Sequence, residues 1–158
     1  MMAIAAWLDA TALSHVLRDV AWIIPAVQSV HILGIGVVCV SSLMLVLRAL
    51  GQRRVDRPWE EVAARFAPWL RRGLAVMALT GLLLIVGEPA RQFGATSFWL
   101  KMALLILAVL MSLRLDAGQR SGRPAAPALA WGIVACWALI IFLGRAIAYD
   151  VEVWGGGA

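Results

Sequence analysis

The chain has 158 residues, 63% of them hydrophobic, a formal net charge of +5 and a mean hydropathy of +0.88. A soluble domain is about 45–50% apolar, so this composition excludes an ordinary water-soluble globule and points to one membrane domain over residues 1–158. Positive charge on such a protein needs no nucleic-acid partner; the lipid bilayer is partner enough.

The N-terminus has no basic n-region and runs into Asp9, so no cleavable signal is expected. Its first 18 residues read as one interfacial amphipathic helix, with Ala6, Trp7, Leu13 and Leu17 on the apolar side. Four longer segments follow, at about 20–47, 73–89, 98–115 and 127–149, each long enough to cross a hydrocarbon core of roughly 30 Å. They lack the alternation of barrel strands, and lipid cannot satisfy open backbone groups. The expected fold is therefore all-α, an integral membrane four-helix bundle with amphipathic interfacial helices. Between the first two spans, residues 58–70 place Trp59, Val62, Phe66 and Trp69 at helical spacing behind Pro58, which predicts a separate amphipathic helix on the cytoplasmic surface.

Arginines orient the spans. Arg48, Arg53, Arg54, Arg57, Arg65, Arg71 and Arg72 follow the first, and Arg114, Arg120 and Arg123 follow the third. Ten of the 14 basic residues thus share one side, which the positive-inside rule makes cytoplasmic, with both termini periplasmic in a bacterial inner membrane. Asp9, Asp19, Glu88, Asp150 and Glu152 fall on the other side, and Trp22, Trp99, Trp131 and Trp154 stand at span ends as interfacial anchors.

Ionisable groups inside spans are costly and mark candidate sites. Here they gather toward the periplasmic half: His31 with Gln28 on the same face of the first span, Glu88 ending the second, Lys101 opening the third, and Arg145 with Tyr149 ending the fourth. The stripe Trp137, Ile141, Arg145 and Tyr149 would aim this last pair inward. These six, Gln28, His31, Glu88, Lys101, Arg145 and Tyr149, form the candidate ligand or proton pocket. Ser41, Ser42, Thr80 and Ser112 are assigned to the inner half. Gly34 and Gly36 are expected to let a neighbouring helix approach closely, and Pro25 to bend the helix above His31.

Four chemistries fit such residues in part. Haem b takes axial histidines, but the chain offers only His15 and His31, so bis-His ligation needs the N-terminal segment to fold in or a second copy to supply its own His31. Copper suits thiolate and thioether ligands, with Cys39 and Cys136 at similar depth, Met44, Met77 and Met111 nearer the cytoplasmic end, and His31 as a further donor. A proton or anion path would run through His31, Glu88, Lys101 and Arg145. A quinone or lipid headgroup would use His31 and Arg145 as donors. Hydrolysis is disfavoured: Ser14 beside His15 makes no nucleophile–base pair by adjacency, and no phosphate loop or zinc signature is present.

The segments "SVHILGIGVV", "LRALG", "FAPWLRRGLAVMALTGLLLIVGEPARQF", "SFWLKMALLILA" and "LGRAIAY" resemble an uncharacterised bacterial family of small four-helix inner-membrane proteins. The resemblance runs from about Trp22 to Tyr149 and carries His31, Gly34, Pro68, Trp69, Thr80, Gly81, Glu88, Pro89, Lys101, Gly144, Arg145 and Tyr149. A more distant similarity, in "TG" of the second span and "WLK" opening the third, is to copper-resistance D-type proteins and cytochrome b561-like bundles. Those carry several histidines, where this chain has one in a span. The expected function is a non-enzymatic binding or accessory protein with a periplasm-facing polar pocket. It would be a subunit of a redox or metal-handling assembly, with membrane-protein partners or a second copy of itself. The alternatives are a small transporter of copper, protons or an anion, and a haem or quinone electron carrier.

Overall fold

A computed structural model describes residues 2–147 as seven helices without strands. They are α1 (Met2–Asp9), α2 (Ala12–Asp19), α3 (Ile23–Ala49), α4 (Trp59–Gly87), α5 (Pro89–Gly94), α6 (Thr96–Arg120) and α7 (Pro127–Ala146). Tyr149, Asp150, Glu152 and Trp154 lie outside the described residues. Four helices, α3, α4, α6 and α7, are long and apolar enough to cross a membrane. Their outward faces present large apolar side chains, among them Leu33, Val40, Leu79, Leu82, Leu113 and Phe142.

The N-terminal segment is two helices rather than one. Thr11 interrupts it, its side chain accepting a 3.3 Å bond from the Ser14 amide to cap α2. Arg18 reaches back to Asp9 at 2.9 Å and folds α1 against α2. The buried face is then Ala5, Ser14 and Leu17, while Trp7 and Leu13 are exposed. The pair lies beside α5 and the adjoining ends of α3 and α4.

No separate amphipathic helix exists at 58–70. That stretch is the first part of α4, which runs unbroken through Pro68. Proline deletes one intrahelical bond, but Arg71, Arg72 and the apolar run beyond them offer no stop, so the helix continues. Burial of Trp59, Val62 and Ala63 holds its start, and the Trp59 indole donates to Asp116 Oδ1 of α6 at 3.0 Å. At 29 residues α4 is about 43 Å long, longer than a hydrocarbon core of roughly 30 Å.

The second long helix ends at Gly87, two residues short of the 89 expected from the sequence. A residue before proline is pushed from helical geometry, and Glu88 (φ −137°, ψ 61°) breaks the chain direction before α5. Pro25 does not bend α3. It sits in the first turn, where its missing amide proton has no intrahelical partner to lose. At their other ends α3 and α6 stop at Gly51 (φ +68°) and Gly122 (φ +70°), left-handed positions that suit glycine.

Packing joins neighbours in sequence: α3 with α4, and α6 with α7, with α3 against α7 as the main contact between the two pairs. Across that contact Val38, Val46, Ala108, Ala130, Ile133 and Ile140 make one core, and the Trp137 indole donates to Ser42 Oγ at 3.1 Å.

Candidate functional site

The α3–α4 seam is close because two glycines face each other. A methyl group added to Gly73 would lie 2.8 Å from Val38 and 3.4 Å from the Gly34 carbonyl; one added to Gly34 would lie 3.1 Å from Met77. Small residues at facing positions let helix backbones approach. Gly36, by contrast, meets nothing within 4 Å and plays no part in this contact.

One turn beyond Gly34, the approach brings His31 onto Thr80. His31 Nδ1 lies 2.7 Å from Thr80 Oγ1, and the same hydroxyl is 2.7 Å from the Val76 carbonyl, its i−4 acceptor. A hydroxyl has one proton to donate. Given to Val76, it leaves the oxygen to accept from a protonated Nδ1; given to Nδ1, it leaves that nitrogen the acceptor. The ring edge passes over Gly81, whose added methyl would meet His31 Cε1 at 3.6 Å. Among the described residues Nε2 has no hydrogen-bond partner.

Lys101 stands near the start of α6 and is half-buried. Its stem runs past Gly144 of α7, 4.0 Å from where a methyl there would stand, and its ammonium sits 5.9 Å from the centre of the Phe98 ring. No carboxylate among the described residues pairs with it.

The other proposed pocket residues are placed differently. Glu88 is paired at 2.7 Å with Arg91, its neighbour one turn on. Gln28 and Arg145 are exposed, so the stripe on α7 turns from the buried Trp137 outward through Ile141 to Arg145. Tyr149 is outside the described residues. Thr80 is not an inner-half residue. It lies seven residues from the end of α4, and His31 eight from the start of the antiparallel α3, so both stand about 11–12 Å from the same end. That matched count is the signal in the sequence that pairs them.

The copper set does not assemble. Met77 fills the gap over Gly34 between α3 and α4, while Met111 reaches over Gly132 between α6 and α7. Cys136 is buried in α7 and Cys39 half-buried on α3; both are free thiols. Cys39 lines an apolar cleft of about 190 Å³ with Ser42, Leu43, Val134, Trp137, Ala138 and Ile141. His15 lies on the exposed side of α2. No group of three or more His, Cys, Asp or Glu that could hold a metal ion gathers among the described residues.

A polar pair is therefore held between glycine-matched apolar helices. Residues 5–150 carry the same pattern that defines a known group. The chain belongs to DUF6644, a family of unknown function. Membership covers all four long helices and both members of the His31–Thr80 pair. No curated protein and no solved structure matches the chain.

Proposed function

We propose that this DUF6644 protein is a multi-pass protein of the bacterial inner membrane, a four-helix bundle with periplasmic termini. In this reading it is a non-enzymatic binding or accessory protein for a lipid-soluble ligand with a polar head. Four long apolar helices with apolar outward faces support insertion, because water does not favour so much contiguous apolar surface. The arginine asymmetry supports the orientation. The overhang of α4 beyond the core then lies in the cytoplasm, where Arg72 stacks over Trp69 at 5.5 Å and Arg54 over Phe66 at 5.6 Å. It offers a surface for anionic lipid or a protein partner.

The observation that carries the binding reading is the His31–Thr80 pair. A hydrogen-bonding ring edge without a partner among the described residues is costly among lipid chains. The test is extraction and mass spectrometry of lipid-soluble species from protein purified in nanodiscs. A species near stoichiometric with the wild type and lost from His31→Ala is expected; identical extracts from both would overturn the reading.

A further inference from the structure

Resting on that binding reading, the geometry points to the ligand's chemistry: we infer that Thr80 fixes His31 as a hydrogen-bond acceptor, and that the site takes a hydroxyl carried on a lipid-soluble molecule. Thr80 is a positioning residue. Its proton is directed to the Val76 carbonyl at 2.7 Å, the bond that a helical threonine makes within its own helix, so the only proton available to the 2.7 Å contact with Nδ1 belongs to the imidazole. A neutral ring with Nδ1 protonated has Nε2 as an acceptor. Nε2 is bonded to Cε1, the atom a methyl on Gly81 would meet at 3.6 Å, so a side chain larger than alanine's at position 81 would crowd this edge of the ring.

Three features select the partner. The acceptor calls for a donor, so a carbonyl or ether oxygen is the wrong group. The position is about 12 Å along α3 from its start, below the level where lipid headgroups lie, so the hydroxyl must travel on an apolar body. The half-buried ring lies between helices with apolar outer faces, so that body reaches it from the lipid. A hydroquinone and an acylglycerol both supply this chemistry.

The experiment uses the full chain in nanodiscs with ¹⁵N-labelled histidine, His15→Gln serving to assign His31. Probes are a hydroquinone with a single isoprene tail, dioctanoylglycerol, and the O-methyl ether of each. The wild type is expected to show a protonated Nδ1 and an unprotonated Nε2, the Nε2 resonance moving as a hydroxyl probe is added. The methyl ether should bind about tenfold or more weakly, the loss of about one hydrogen bond. Whichever hydroxyl probe binds more tightly identifies the source.

Thr80→Val should mix the tautomers and weaken binding about tenfold, and Thr80→Ser should restore both. Gly81→Leu, whose side chain would crowd the Cε1–Nε2 edge, should block the probe, whereas Gly81→Ala, in ordinary contact at 3.6 Å, should leave the tautomer unchanged. A wild-type ring protonated at Nε2, equal affinity for hydroxyl and ether, binding of neither hydroxyl probe, or indifference to Gly81→Leu would each overturn the inference. If the ethers bind as well as the hydroxyls while His31→Ala still loses its co-purifying species, the binding site stands and the hydroxyl class falls. If His31→Ala keeps that species, the site itself falls.

Discussion

The α3–α4 seam and the α6–α7 seam use the same pair of residue types, a glycine under a methionine, to different ends. Between α6 and α7, Gly132 lies beneath the tip of Met111, among apolar side chains of the core. Between α3 and α4, Gly34 lies beneath Met77, but a second glycine, Gly73, faces it and rests against the branched Val38. Doubling the glycine brings the backbones close enough for short side chains to meet across the seam, and one turn farther on His31 meets Thr80. A single glycine makes room for a flexible side chain; two opposed ones make room for a polar contact.

Alanine at the two positions should expose this difference. Gly73→Ala puts a methyl 2.8 Å from Val38, a side chain with one stiff rotamer, and 3.4 Å from the Gly34 backbone. The helices must part, at a cost of about 1–3 kcal/mol. Thermal unfolding in detergent should show a lower midpoint, with the His31 ring resonances losing their signature of Thr80. If that variant keeps both, close approach is not what sets the pair.

Next in size is Trp137→Phe, which strands the Ser42 hydroxyl between the two pairs of helices and should cost about 1 kcal/mol in the same unfolding assay. Thr80→Val should cost somewhat less, about 0.6 kcal/mol, the average for a bond between helices in lipid. A larger loss than that from Trp137→Phe would mean the polar seam is also the stability centre.

The smallest effect is expected at Gly132→Ala. Its methyl would stand 2.5 Å from the terminal methyl of Met111, which swings aside, and alanine regains about 1 kcal/mol of helix propensity. An unfolding midpoint near the wild type's is expected there, and a drop equal to that of Gly73→Ala would erase the contrast between the seams.

The sequence exposed the long helices more readily than the pairing between them. Hydropathy marks α3, α6 and α7 because each is an uninterrupted apolar run with polar ends. The far end of α4 was less plain: the apolar run reads on to Pro89, but proline forces Glu88 out of the helix, which stops at Gly87. The start of α4 escaped because Pro68 and the two arginines after it look like a boundary. What carries the helix through them is burial of Trp59 against α6, a contact between residues 57 positions apart. His31 stood out as an ionisable group in an apolar run. Thr80 did not, since a threonine in such a run satisfies itself on its own helix; only antiparallel register, which two opposed glycines set, gives it a second role. Glu88 and Lys101 share an end of the molecule by sequence, yet Arg91 is within one turn of Glu88 and captures it.

The pairing of helices with their neighbours in sequence also sets an order of assembly. The α3–α4 and α6–α7 hairpins close over short connections, so each can form as soon as its second helix is made. The contact of α3 with α7 joins Ser42 to Trp137 across 95 residues and must wait for the last helix. The His31–Thr80 pair therefore belongs to a unit that is complete while α7 is still being synthesised. The Trp137 indole, shifting from apolar surroundings to a hydroxyl partner, is the group whose fluorescence would report the final docking step.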